Sequence, residues 1–240
     1  MKKIFLIIFI LGLTIGCTKI NTNKTSEIKI NKSEKTKAIR VSNWLNKNFE
    51  KELKEATKGT PFTISLLSAI VTQESGYYLV ENNRIDLIDK DTLLKNCILD
   101  ASGDVDGTRK AFPRNTDEFR KKYGNKITDE LINEANRARK FRGFTNPKKW
   151  VYAGYGLFQF DLQYIELGHK EFFIEKQWYS FDKILKKVII ELTEKYNEDL
   201  WEAVRKYNGS GSSAIEYANH VFTYKNIIEE KDDSRKIKIK

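Results

Sequence analysis

Residues 60–77 read Thr60-Pro61-Phe62-Thr63-Ile64-Ser65-Leu66-Leu67-Ser68-Ala69-Ile70-Val71-Thr72-Gln73-Glu74-Ser75-Gly76-Tyr77. Ile64, Leu67, Ile70 and Val71 recur at helical spacing, which predicts an apolar helix. Thr60 is the expected N-cap, Pro61 suits the first helical position, and Gly76 is the expected stop. Glu74 follows Leu67, Ile70 and Val71 by seven, four and three residues, so its carboxyl falls on or beside the buried face. A carboxyl there loses hydration, which penalises the anion and raises the pKa. Such a group stays protonated near neutral pH and can act as a general acid. The plain alternative is a solvated or capping glutamate at a helix end.

Upstream, Val41, Trp44, Leu45, Phe49 and Leu53 predict a helix that Lys58-Gly59 ends. Downstream, residues 79–152 are irregular, with short helical stretches expected at 91–99, 116–122 and 128–140. Gly-, Asp- and Pro-containing breaks separate them. Gly154-Tyr155-Gly156 opens the last third. Phe181, Ile184, Leu185, Val188, Ile189 and Leu192 then mark a long helix, and a second covers roughly 198–208 before Gly209. A final helix starts at Ser213, with Glu216 three places on in a capping-box pattern. No internal repeat and no sustained strand alternation is visible, so the fold class is mainly α. Residues 229–240 read as a charged tail.

The N-terminus sets the compartment. Lys2 and Lys3 precede an apolar run from Ile4 to Leu13 that is too short for an ordinary transmembrane helix. Gly16-Cys17 then resembles the end of a bacterial lipoprotein signal, with Cys17 lipidated after removal of residues 1–16; Thr14 stands where that signal usually has leucine. Simple secretion and an uncleaved anchor are the alternatives. Residues 17–38, rich in Lys, Asn, Thr, Ser and Glu, read as a flexible tether, which leaves 39–228 as the folded domain.

Composition narrows the chemistry. In 240 residues there are two cysteines and two histidines, which exclude a disulfide framework and a four-cysteine zinc site and leave little room for a histidine-based triad. The net charge of +10 suits an anionic lipid surface or wall polymer, while export argues against nucleic acid. The Asp-x-Asp-Gly core within Ser102–Gly107 suggests a calcium loop, but position 113 is Pro where the loop's closing glutamate is needed, and aspartates are common turn residues. No metal or cofactor is expected. Trp44, Trp150, Trp178 and Trp201 are candidates for stacking on sugars, with core packing as the default.

Three segments occur in order: Gln73-Glu74-Ser75-Gly76-Tyr77, then Gly154-Tyr155-Gly156-Leu157-Phe158-Gln159-Phe160, then Tyr207-Asn208-Gly209-Ser210-Gly211 before a helix carrying Ala214, Tyr217, Ala218 and Val221. This set resembles the lytic transglycosylase domain of the goose-type-lysozyme-like superfamily. That family has an apolar helix ending in Glu-Ser, then Gly-Leu-Met-Gln, then Tyr-Asn-Ala-Gly before a helix with Tyr-Ala. Phe158 and Gly209 replace its Met and Ala. The resemblance covers roughly 60–78 and 153–224 and leaves 79–152 as a long insertion. It implies a lysozyme-like fold with an inserted helical lobe, acting as a monomer on peptidoglycan glycan strands at the cell envelope.

The resemblance also implies roles. Glu74 is the catalytic acid and base. Ser75 positions the sugar or the glutamate, Gly156 lets the backbone approach the glycan, and Gln159 hydrogen-bonds in the cleft. Tyr207 hydrogen-bonds near Glu74, and Asn208 orients the turn or the substrate. The implied reaction cleaves the β-1,4 bond between N-acetylmuramic acid and N-acetylglucosamine and leaves a 1,6-anhydro end. A hydrolytic lysozyme and a catalytically silent glycan-binding lipoprotein are the alternatives. Asp161 is a candidate for activating water, against a plain role at a helix N-terminus. The insertion is expected beside the cleft, with Arg137, Arg139, Arg142 and Trp150 as candidate substrate contacts.

Overall fold

A computed structural model describes residues 28–101 and 111–239, without the side chains of 235–239. The expected signal peptide, Cys17, most of the expected tether and the Ser102–Gly107 segment lie outside the described residues. Among the described residues no helix is long and apolar enough to cross a membrane.

The chain is mainly helical. Its helices are α1 (Lys32–Thr57), α2 (Ile64–Val80), α3 (Arg84–Leu87), α4 (Lys90–Asn96), α5 (Thr116–Tyr123), α6 (Asn125–Phe141), α7 (Lys170–Ile174), α8 (Phe181–Lys195), α9 (Leu200–Asn208) and α10 (Ser212–Ile239). Helix α2 lies at the centre, against α1 on one side and α10 on another. Leu66, Leu67, Ala69, Ile70 and Val71 are all buried, so α2 is enclosed on nearly every face, as expected for a helix apolar all round. Helices α8 and α9 pack on each other and complete the bundle through α1 and α10.

Several helix ends differ from expectation, each for a local reason. Helix α1 begins at Lys32 rather than after the tether, because Asn31 caps it by accepting from the Glu34 N–H at 3.0 Å, and Ala38 is already buried. Helix α2 begins at Ile64. Thr63, not Thr60, accepts from the Leu66 N–H at 3.1 Å, while Thr60 closes a turn by donating to the Thr57 carbonyl at 2.9 Å.

Gly76 does not stop α2. The helix continues because Tyr78 and Leu79 are buried and the Tyr78 hydroxyl donates to the Leu93 carbonyl at 2.9 Å. The bare Gly76 Cα instead leaves room for the Lys37 chain, whose Cδ would lie 3.4 Å from an added Cβ. The expected charged tail is helical as well. Tyr224 and Ile228 bury one face of α10, and Lys225–Glu229 and Ser65–Glu229 contacts at 2.7 and 2.6 Å carry the helix past residue 228.

Within 79–152 the described residues form α3 to α6 and one strand, together called the lobe. Strand β1 (Ile98–Asp100) pairs antiparallel with β2 (Ala153–Tyr155), and β2 with β3 (Phe160–Asp161), in the order β1-β2-β3. The register sets Ile98 opposite Tyr155 and Asp100 opposite Ala153. The expected helix at 91–99 therefore ends at Asn96 and turns into a strand. Strands of two or three residues are too short to show alternation in sequence. Helix α6 packs on β1 and α4, which ties the lobe to the sheet.

Candidate active site

The three sequence motifs meet around the end of α2 and the turn between β2 and β3. Ser75 is 1% exposed, and its hydroxyl donates to the Leu157 carbonyl at 2.8 Å. The Tyr207 hydroxyl, at the end of α9, donates to the Phe158 carbonyl at 2.9 Å. The Gln159 side-chain amide folds back to the Gly156 carbonyl at 2.7 Å. Side chains from two helices thus clamp consecutive carbonyls of one turn. Gln159 holds φ at +52°, a left-handed conformation that non-glycine residues seldom adopt, and its own amide contact closes that turn.

Glu74 projects from α2 beside this clamp. Its Oε1 accepts a hydrogen bond from the Tyr217 hydroxyl of α10 at 2.6 Å. The rings of Tyr217 and Tyr207 lie 6.4 Å apart. Burial pushes the Glu74 carboxyl up to about 7, and the Tyr217 hydrogen bond, which favours the anion, pulls the other way. Glu74 is nevertheless only half-buried by surface area. It is packed deeply among protein atoms on one side and open on the other, where a cleft of about 290 Å³ reaches it. The same burial, with the Glu74 carboxylate nearby, holds both tyrosine hydroxyls far above their ordinary range, so they remain donors.

The cleft is lined on the α2 side by Glu74 and Tyr77 and on the lobe side by Leu99, Asp100, Arg142 and Phe144. Tyr77 and Phe144 are 68% and 56% exposed, which makes them the aromatic surfaces open at this opening. Among the described residues two further carboxylates line the cleft, and both are engaged. Asp100 is held by the Arg139 and Arg142 guanidinium groups, and Glu81 by Arg84 at 2.7 Å. Lys37 also lines it and pairs with Glu34 at 2.7 Å. Among the described residues, no group of three His, Cys, Asp or Glu side chains converges as a metal site.

The residues singled out in sequence fall into two sets. Glu74 faces the cleft. Ser75, Gly156, Gln159 and Tyr207 build the scaffold behind it. Ser75 is enclosed and positions the glutamate's helix rather than a sugar. Gly156 faces the core: an added Cβ would lie 2.1 Å from Ile184 Cδ1, so its bareness serves packing and not the approach of a glycan. Tyr207 reaches the turn, and it is Tyr217 that reaches Glu74. Asn208 is exposed at the last position of α9, before Gly209, and lies outside the cleft lining.

Asp161 caps the turn Leu162–Ile165, accepting from the Gln163 N–H at 2.9 Å, and does not line the cleft. Of the lobe candidates, Arg142 lines the cleft and Arg139 holds Asp100 behind it. Arg137 donates to the Lys95 carbonyl and the Tyr179 hydroxyl, both at 2.7 Å. Trp150 is half-buried under Lys148, whose Nζ lies 4.9 Å from its ring centre. Trp44, Trp178 and Trp201 are core residues.

Tyr217, Tyr77, Phe144 and Asp100 are not legible in the sequence as site residues. Tyr217 lies on the apolar stripe of α10 with Ala214, Ala218 and Val221, where an aromatic reads as core. Its one signal is its place on the helix after the Tyr207 motif. No family model, no curated protein and no solved structure matches this chain.

Proposed function

We propose that this protein is a peptidoglycan lytic transglycosylase that uses Glu74 as its single acid and base. The observation that carries the reading is geometric: Glu74, held by the Tyr217 hydroxyl, lines an open cleft flanked by aromatic rings, and its burial pushes the carboxyl up to about 7. At neutral pH about half of such carboxyls carry the proton, so one group is available in either form.

Protonated Glu74 gives its proton to the glycosidic oxygen as the C1–O4 bond breaks and the N-acetylglucosamine fragment leaves. The Glu74 carboxylate then takes the proton of the muramic 6-hydroxyl, whose oxygen bonds to C1. The attacking hydroxyl belongs to the substrate itself, so its effective concentration is high. The exposed rings of Tyr77 and Phe144 offer flat apolar faces to sugar rings. The hydrolytic alternative rests on Asp100, which lines the same cleft but is tied to two arginines.

Digestion of purified peptidoglycan followed by weighing of the products tests this. A 1,6-anhydro end, lighter by one water than a hydrolysed end, is expected. Hydrolysed ends would assign a lysozyme, and intact glycan would point to a silent binding protein.

Tyr217→Phe tests the tyrosine on the acid. Losing a hydrogen bond that favours the anion raises the Glu74 pKa further. The alkaline limb of the cleavage profile should then move up by roughly one pH unit, the size expected for a charged hydrogen bond. An unchanged limb would remove Tyr217 from the mechanism.

A further inference from the structure

A groove of about 720 Å³, larger than the Glu74 cleft, lies on the lobe along α6 and the loop Gly143–Pro147. Its size lies in the range of small-molecule sites. The two openings are neighbours: Phe144 lines both. Arg139, 2% exposed, spans the partition. Its guanidinium holds Asp100 on the cleft side and donates to Asn136 Oδ1 at 2.7 Å on the groove side. Asn136 in turn fixes the following loop, accepting from the Lys148 N–H at 2.8 Å and donating to its carbonyl at 2.9 Å. The wall is therefore built and held.

Its chemistry is one-sided. Arg137, Arg139 and Lys140 line the groove, and no carboxylate among the described residues does. The acids that pair with Arg137 and Arg139 are Glu134 and Asp100, both outside the lining. Lys140 forms no ion pair among the described residues, and the amide of Asn133 is open. Phe144 and Pro147 supply an apolar floor. Open amides, an unpaired cation and a small apolar floor fit a short peptide with a free carboxylate that extends off the glycan; a strand stripped of its peptides keeps only the lactyl carboxylates, which stay against their own sugar rings and do not reach a groove outside the cleft lining.

We propose that this groove receives the carboxylate-bearing peptide branch of a glycan strand whose backbone lies in the Glu74 cleft, with Lys140 meeting the carboxylate and Asn133 the peptide backbone. This rests on the reading of Glu74 as a glycan-cleaving acid.

The test uses the full chain and two probes, a peptidoglycan tetrasaccharide bearing its stem peptides and the same tetrasaccharide stripped of them. Affinity is measured on Glu74→Gln protein, so that neither probe is consumed. Lys140→Glu, at an exposed position, should weaken the peptide-bearing probe about tenfold and leave the stripped probe within about twofold, since a charged contact is worth roughly one decade or more. Asn133→Ala should act in the same direction, more weakly. Equal affinity for both probes before substitution, or equal effects of Lys140→Glu on both, would overturn the groove even with cleavage intact. Failure of the unsubstituted protein to cleave either probe would instead overturn the Glu74 reading, because the groove is read on binding alone.

Discussion

Glu74→Gln should abolish glycan cleavage and, above neutral pH, make the protein more stable than the native sequence. The amide is nearly isosteric with the carboxyl but has no proton to give. General acid–base help is worth about 10²–10⁴-fold, and more where one group serves both halves of the reaction. The stability effect has a definite sign. The folded-state pKa is about 7 against an ordinary value of 4.5. Between those values the folded chain holds a proton that the unfolded chain has released, so rising pH favours unfolding. The stabilising contribution is whole below about pH 4.5 and is lost as pH rises through 7.

The ceiling on that loss is about 3 kcal/mol, trimmed because the carboxyl keeps an opening to water. The amide of the Glu74→Gln protein does not titrate and has no such dependence. Denaturant unfolding at pH 5 and pH 8.5 measures the difference, beside the digestion assay. Cleavage within a few-fold of the native protein would sink the catalytic role. Parallel stability curves for the two proteins would sink the shifted pKa. A residue that stabilises the protein when removed and disables it at the same time is what a site held at the expense of stability predicts.

The parts of this arrangement that can be read from sequence are those with a long period. The apolar run through Leu67, Ile70 and Val71 identifies the central helix and places Glu74 at its margin. The stripe Ile184, Leu185, Val188 identifies α8. What escapes is decided by single contacts. Gly76 reads as a stop by itself, and only the passage of Lys37 across α2 explains a glycine inside a helix. Residues 32–38 are polar enough to read as tether, yet an Asn31 cap and the nearby α10 make them helix. Ile98–Asp100 is too short to announce a strand, so the sheet that brings Asp100 and Leu99 to the cleft is invisible in the sequence.

The same distinction runs through the site. The Glu74, Gln159 and Tyr207 motifs do converge, but which tyrosine meets the acid depends on how α9 and α10 pack, and packing is not a property of either segment alone. Trp44 and Trp201 draw attention as large rings and are buried in the core, while Tyr77 and Phe144 lie open at the cleft. Residue type predicts the chemistry available. Exposure, which is set by the assembled helices, selects the residues that can use it.

Gly156→Ala should lower stability by about 2–5 kcal/mol and carry most of the activity away with it. The backbone at Gly156 has φ of +76°, where an L side chain is strained by roughly 1–2 kcal/mol. The added Cβ would also lie 2.1 Å from Ile184 Cδ1 and 3.1 Å from Trp178 Cβ. A methyl at the end of an isoleucine chain can usually move aside, but Ile184 and Trp178 are both 0% exposed in a packed core. Overfilling such a core costs about 1–3 kcal/mol more. The turn cannot shift to relieve the clash without breaking its anchors. The Gly156 N–H donates to the Cys97 carbonyl at 2.7 Å, and the next two carbonyls hold Ser75 and Tyr207. Displacing them loosens the end of α2 and with it the placement of Glu74. Gly209→Ala is the control: its φ of +117° is also strained, but nothing lies within 4 Å of the added Cβ. Denaturant unfolding of both variants separates strain from clash. If Gly156→Ala proved no more damaging than Gly209→Ala, the turn would not be held by the core, and its clamp on α2 would have to be abandoned.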